Sequence, residues 1–300
     1  MAFYLGIDGG GSKTKLLLGD EQRLLAEATT SGSNILRSGK DPVRSALHAA
    51  IEEICQRGGT RAADIRRVVA GIAGSSNEAV RVLLEAALRE RIPGAIEVLG
   101  DMEIAHHAAL EGSPGVLVNA GTGSIAYGKN ANGQTARAGG WGFAISDEGS
   151  GHWIGRNAVA TAIRAFDTQQ DEDFLHHMMS AAGAKTPEEL AKFANASANP
   201  DFARFSPEVV TLAQLGDTIA AGILQRAGEE LSRLADAVLG HIFRGARGVR
   251  VAAAGGVFRS SDAVFQSFRK QVGTRHPSAI VFLSVADPAM GALMLARRAR

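Results

Sequence analysis

Two stretches built to one plan constrain this chain more than anything else in it. They are Phe3-Tyr-Leu-Gly-Ile-Asp-Gly-Gly-Gly-Ser-Lys-Thr-Lys-Leu-Leu-Leu-Gly19 and Gly115-Val-Leu-Val-Asn-Ala-Gly-Thr-Gly-Ser-Ile-Ala-Tyr-Gly128. Each joins two apolar runs of strand length through a Gly/Ser/Thr turn, so each reads as a hairpin. In the first, no Cβ obstructs the backbone from Gly9 through Gly10 and Gly11. The amides up to Ser12 can therefore point at phosphate oxygens, while Lys13 adds charge and Ser12 and Thr14 add hydroxyls. Asp8, at the end of the first strand, is placed to hold Mg²⁺ through water.

Two commoner glycine motifs fail here. Gly6 to Lys13 misses a Walker A loop by one residue, because Ser12 intrudes between the last glycine and the lysine. Lys15 to Leu18 continues as strand where a P-loop or a dinucleotide fingerprint needs a helix. Taken alone, the stretch fits a plain hairpin turn as well as a phosphate-binding one. Its echo, about a domain's length later, favours a duplicated fold whose halves each offer a turn to one polyphosphate.

Along the chain, a third strand is expected from Arg23 to Ala28, then a polar loop containing Asn34, which ordinarily would serve as a turn or cap residue. A helix over 42–57, a strand over 67–73, a helix over 77–91 and a strand over 96–99 come next, with a further helix to about Leu110. The order β-β-β-α-β-α-β-α is that of an RNase H-like domain, whose sites lie at strand ends. Asp101 occupies such an end. It reads either as a helix N-cap or as a carboxylate able to take a proton from a substrate hydroxyl.

Glu111-Gly-Ser-Pro-Gly115 is a turn-rich junction and the candidate domain boundary. Beyond the second hairpin, Ala138-Gly-Gly-Trp-Gly-Phe-Ala-Ile-Ser-Asp-Glu-Gly-Ser-Gly151 crowds glycines, a tryptophan and two adjacent carboxylates, a composition that shapes sites rather than regular structure. Helices are expected over 150–166 and through most of 167–243, with breaks near Gly183, Asn199-Pro200 and Gly216. A strand over 250–253, a turn at Gly255-Gly256, a helix over 262–272, a strand over 278–283 and a helix over 288–300 close the chain.

Three hundred residues, 45% of them hydrophobic, suffice for two ordinary domains. The net charge of +1 comes without a basic stripe interleaved with aromatics, which argues against nucleic acid as the main partner. The short tail Arg297-Arg298-Ala-Arg300 suits a helix C-terminus. Cys55, the single cysteine, excludes an intrachain disulfide and a thiolate zinc or iron-sulfur site within one chain, and is expected buried in its helix. No apolar run approaches the ~20 residues of a membrane span and the start lacks a secretory signal, so a cytoplasmic protein is expected, with no membrane partner. His106-His107 and His176-His177 adjoin on helices and face different directions, and no H-E-x-x-H pair or G-x-S-x-G elbow occurs.

Ile7-Asp-Gly-Gly-Gly-Ser-Lys-Thr14, Asp101, Gly121-Thr-Gly-Ser124, Gly139-Gly-Trp-Gly142, Asp147-Glu-Gly-Ser150 and Ala254-Gly-Gly-Val257 stand in this order. In that pattern the chain resembles the eukaryotic-type N-acetylglucosamine kinases and their bacterial relatives in the BadF/BadG/BcrA/BcrD ATPase group, over essentially its whole length. The resemblance implies an α/β chain of the actin-like ATPase fold, with two RNase H-like domains of mixed sheets around an interdomain cleft. Residues 1–112 with 286–300 would form the first domain and 113–285 the second.

By position, the resemblance makes Asp101 the catalytic base. It puts Gly10, Gly11, Ser12, Lys13, Thr122, Gly123, Gly255 and Gly256 on the nucleotide, and aligns Ala213 and Gly216 with a helix start near the adenine. Asn34, Asp101, Gly140, Trp141, Gly142, Asp147 and Glu148 become sugar contacts, with Trp141 either stacked on the sugar or buried against the core. ATP and Mg²⁺ would serve phosphoryl transfer to the C6 hydroxyl of N-acetylglucosamine, N-acetylmuramic acid or glucosamine, and a homodimer is implied. The lone cysteine sets aside the iron-sulfur activators of acyl-CoA dehydratases and the zinc-binding ROK kinases. A regulatory protein that keeps the pocket without turnover is the alternative, weighed against by Asp101 and the two turns.

Overall fold

The first glycine turn folds β1 (Phe3–Gly9) back as β2 (Lys13–Gly19) in antiparallel register, with Asp8 opposite Lys15 and Gly9 opposite Thr14. The computed structural model describes residues 2–11, 13–197 and 200–298. β3 (Leu24–Ser31) pairs with β2; α1 (Ile35–Ser38) and α2 (Lys40–Arg57) come next. Then come β4 (Ile65–Ile72), α3 (Glu78–Arg89), β5 (Ala95–Leu99) and α4 (Asp101–Leu110). β4 runs parallel to β1 and β5 parallel to β4, giving the order β3-β2-β1-β4-β5.

The second half repeats this order strand for strand. β6 (Gly115–Ala120), β7 (Ser124–Lys129) and β8 (Thr135–Gly139) are antiparallel, and β9 (Arg250–Ala254) and β10 (Ile280–Leu283) extend the sheet in parallel, so the order is β8-β7-β6-β9-β10. Where the first half has α1 and α2, the second has α5 (Gly151–Thr168), α6 (Glu172–Ala182), α7 (Pro187–Asn195), α8 (Ser206–Gln214) and α9 (Thr218–Ile242). α10 (Gly256–Ser260) and α11 (Asp262–Arg275) link β9 to β10, and α12 (Pro288–Arg297) ends the chain. Two RNase H-like sheets of mixed direction in one chain constitute the actin-like ATPase fold. The chain divides into two compact units, Met1–Ser113 with Ala286–Arg300, and Pro114–Val285.

Alternation along the strands sets the layers of the first unit. Leu5 and Ile7 of β1 join a core with Leu47, Ile51 and Ile54 of α2 and Leu84 and Leu88 of α3. Fully burying each such side chain contributes about 1.5–3 kcal/mol. Tyr4, Leu17 and Val69 face the other way, onto Ile104 of α4 and Ala289, Ala292 and Leu293 of α12. A Cβ added at Gly6 would lie 2.4 Å from the Leu293 amide nitrogen, so the backbone of α12 rests directly on β1. In the second unit α9 buries Ile223, Leu224, Ala227, Leu231, Ala235 and Val238, spaced at three and four residues along one stripe, and packs on β6, β7, β8 and α11.

The expected elements are present, with local differences. Gly100, not Asp101, is the N-cap of α4, and Asp101 is its first helical residue. Gly256 already begins α10, so the Gly255-Gly256 turn narrows to Gly255, whose φ of 101° only glycine adopts readily. The break at Asn199-Pro200 touches a residue outside the described ones. Cys55 is buried in α2 as expected. No described helix is long and apolar enough to cross a membrane.

Candidate active site

In the first unit the glycine turn is closed by a Gly10 N–H donated to the Lys13 carbonyl at 3.0 Å. The Gly10 amide, expected to face phosphate, is thus used within the turn. The Ser33 amide donates to the Gly10 carbonyl at 3.1 Å and ties the turn to the residue before Asn34. Gly32 lies so close that a Cβ there would stand 2.4 Å from the Gly11 carbonyl oxygen. Asn34 accepts the Ser38 amide at 3.0 Å on its own carbonyl and opens α1. Lys13 is exposed at the turn's edge; Ser12, expected on the nucleotide, lies outside the described residues.

Asp101 opens α4 one residue beyond β5, whose end is held by a Ser75 hydroxyl donated to the Leu99 carbonyl at 2.6 Å. The Glu103 carboxylate takes the Gly100 N–H at 3.0 Å, which fixes the first turn of α4. Burial raises the Asp101 pKa, while hydrogen bonds from the amides of Met102 and of Asp101 itself pull it down. Asp8 is pushed up to about 6, first by burial, then by the negative fields of Asp101 and Asp287, with Lys13 and Lys15 opposing. A buried carboxylate carrying excess negative potential is what a hard cation relieves. Among the described residues no cluster of three His, Cys, Asp or Glu side chains could hold a metal by itself. Asp8 thus fits a cation as a single acidic contact and not as part of a side-chain cluster.

In the second unit the turn after β6 repeats the device, with Gly121 donating its amide to the Gly123 carbonyl at 2.9 Å. The amides of Thr122 and Gly123 have no acceptor among the described residues. The loop 139–151 is stitched onto this turn. Ser124 donates its amide to Asp147 Oδ1 at 3.1 Å and its hydroxyl to the Glu148 carbonyl at 2.7 Å. Gly140 donates to the Ser124 carbonyl at 2.9 Å, Gly151 to that of Gly121 at 2.8 Å and His152 to that of Thr122 at 3.1 Å. The Asp147 carboxylate packs so closely on Gly123 that a Cβ there would meet it at 2.9 Å. Burial raises the Asp147 pKa and lowers that of His152, whose ring lies 4.9 Å from Phe143 and 5.3 Å from Phe202.

Trp141 is not buried against the core: it is 65% exposed, with the Arg137 guanidinium 4.0 Å over its ring, and Gly142 beside it is exposed too. Gly255 reaches the second turn, since a Cβ on it would stand 2.2 Å from the Ala120 carbonyl oxygen. Ala213 is not at a helix start. It sits in the last turn of α8, and Gly216 lies in the link to α9, whose N-cap is Asp217; α8 packs on α10, which Gly256 begins.

Each unit thus gathers its own set. Asp8, Gly10, Gly11, Asn34 and Asp101 belong to the first. Thr122, Gly123, Gly140, Asp147, Glu148 and Gly255 are linked around the second turn. Lys15 and Asp287 escaped the sequence reading, although Asp287-Pro288 is a helix-start signal and Asp287 occupies in the second half the place that Asp101 has in the first.

The family model of the BadF/BadG/BcrA/BcrD ATPases matches residues 5–296. The chain is 32% identical to an N-acetylmuramic acid/N-acetylglucosamine kinase of Clostridium acetobutylicum, covering 99% of each chain. It is 27% identical to an N-acetyl-D-glucosamine kinase of Dictyostelium discoideum, covering 98% of this chain and 97% of that one. Among solved structures, a candidate N-acetylglucosamine kinase of Chromobacterium violaceum superposes with a TM-score of 0.80 at 25% identity, over 98% of this chain and 99% of that one.

Proposed function

The chain belongs to the BadF/BadG/BcrA/BcrD ATPase family, and from that premise we propose that it is an ATP-dependent amino-sugar kinase that phosphorylates the C6 hydroxyl of N-acetylglucosamine or N-acetylmuramic acid. The observation that carries this reading is the pair Asp8, beside the glycine turn on β1, and Asp101, the first residue of α4, whose negative field reaches Asp8; burial raises the pKa values of both.

Phosphoryl transfer asks a protein mainly for positioning and charge neutralisation. Asp101, on a rigid strand end, accepts the proton of the acceptor hydroxyl and aligns its oxygen with the γ-phosphorus. Its raised pKa makes it a better proton acceptor than an ordinary carboxylate. The amides of Gly11, Thr122 and Gly123 and the Lys13 ammonium cradle phosphate oxygens, and Ser12 is assigned to the same nucleotide contacts. Gly255, Gly256, Ala213 and Gly216 offer side-chain-free or nearly side-chain-free backbone to the nucleoside. Asp8 would hold Mg²⁺ through water, and the bound ion would neutralise the polyphosphate.

Asn34, Asp147 Oδ2 and Glu148 hydrogen-bond sugar hydroxyls, and Gly140, Trp141 and Gly142 form the loop that covers the ring. The relative from Clostridium acetobutylicum is an N-acetylmuramic acid/N-acetylglucosamine kinase and that from Dictyostelium discoideum an N-acetyl-D-glucosamine kinase, which supports this substrate class. Glucosamine, a cytoplasmic location and a homodimer belong to the same reading.

An ADP-release assay over a panel of amino sugars, with product regiochemistry read by NMR and oligomeric state by sedimentation, tests it. A 6-phosphate is the expected product. Sugar binding without turnover by any panel member would overturn the kinase reading in favour of a sugar-responsive regulator.

A further inference from the structure

Asp8 and Lys15 stand directly opposite each other on β1 and β2. Side chains of such a pair share a face, with Cβ atoms about 4.5–5.5 Å apart. An ammonium in that place ordinarily pairs with the carboxylate beside it. Here it does not: Lys15 Nζ lies 2.9 Å from Asp287 Oδ2 and 3.3 Å from Glu27 Oε2, and among the described residues no ion pair joins it to Asp8.

Asp287 divides its carboxylate between two tasks. Oδ1 accepts the Ala289 amide at 3.0 Å and caps α12, while Oδ2 holds the lysine. Its hydrogen bond is the leading reason that the Lys15 pKa stands above the usual value. Glu27, 63% exposed, is a weak second anchor, since exposed ion pairs contribute little.

We propose that Asp287 is a positioning residue that holds the Lys15 ammonium away from Asp8, so that the Asp8 carboxylate stays open to the magnesium–nucleotide complex. Without Asp287 the lysine turns to its cross-strand neighbour and neutralises it. The inference rests on the metal-side role of Asp8 in the proposed kinase. It makes the last helix, through its N-cap side chain, part of the phosphate end of the site.

The test uses the full chain with a saturating non-hydrolysable ATP analogue and Mg²⁺ as the varied component, read by calorimetry, with thermal melts alongside. Asp287→Ser keeps a good N-cap and removes only the charge. It is expected to weaken Mg²⁺ about tenfold, the scale of one partly screened unit charge. The double variant Asp287→Ser/Lys15→Met is expected to recover most of that loss, because no ammonium remains to block Asp8. A capping role for Asp287 does not predict this recovery.

Unchanged Mg²⁺ affinity in Asp287→Ser, or a double variant as weak as the single one, overturns the inference. Asp8→Asn is run in parallel. If it loses Mg²⁺ dependence while Asp287→Ser does not, only the inference falls; if it binds as the wild type does, the metal-side role of Asp8 falls and takes the inference with it.

Discussion

Ser124 donates its amide to Asp147 Oδ1 at 3.1 Å, and Asp147 offers that oxygen from left-handed backbone at φ 72°. A non-glycine residue in that region is strained, with Asp and Asn among the most tolerant. Asp147→Asn keeps an acceptor and the backbone preference, so its stability should stay within about 1 kcal/mol of wild type. Asp147→Ala leaves the Ser124 amide without its partner and should cost about 1–3 kcal/mol. Urea denaturation of the two variants measures the difference.

Asp101 makes the acid side of catalysis visible. A base must be deprotonated, and burial raises the pKa of Asp101, the proposed base. Turnover should therefore fall as pH drops, at a pH above the ordinary carboxylate range near ~4. Asp101→Asn should lose at least about a hundredfold in kcat with sugar affinity within a few-fold, as for a group acting in the transition state. A pH profile of kcat and a sugar titration check both.

Asp8 links function to stability with a defined sign. Below the ordinary value of 3.8 the carboxyl is protonated in folded and unfolded chains alike; between there and about 6 only the folded chain keeps the proton. Stability in metal-free buffer should fall as pH rises through that window, by about 1–3 kcal/mol from this group. Asp8→Asn should lack that part of the pH dependence and be more stable than wild type at pH 7. Paired denaturation curves at pH 4 and pH 7 in a chelator test it.

Two helical glycines should answer oppositely to alanine. At Gly222 in α9 an added Cβ meets nothing within 4 Å, so the substitution should stabilise by about 0.5–1 kcal/mol. At Gly291 in α12 it would stand 2.2 Å from the Ile104 carbonyl oxygen, and the overpacking should cost about 1–3 kcal/mol. Thermal melts of the two variants read the contrast.

What could be read from the residues was whatever is written locally. Apolar runs of strand length gave the succession of strands along both halves, and the two turns announced themselves through Gly9 to Gly11 and Gly121 to Gly123. The stitching of 139–151 onto Ser124 could not be read, because it pairs backbone groups with side chains more than twenty residues away through a loop without periodicity. The pairing of Lys15 with Asp287 depends on where α12 lands, which tertiary packing decides. Asp101 looked like a cap because aspartate favours that place, but Gly100 takes the extended cap conformation and Glu103 serves its amide. Trp141 showed its composition and not its exposure.

The packing of α12 on β1 sets an order of events during biosynthesis. The sheet that leaves the ribosome first has one apolar face, with Tyr4, Leu17 and Val69, covered only in part, by Ile104 of α4, until residues beyond Asp287 have emerged. The earliest half to be translated is therefore the last to be completed. A nascent chain arrested anywhere before Pro288 offers chaperones and proteases a half-finished amino-terminal sheet.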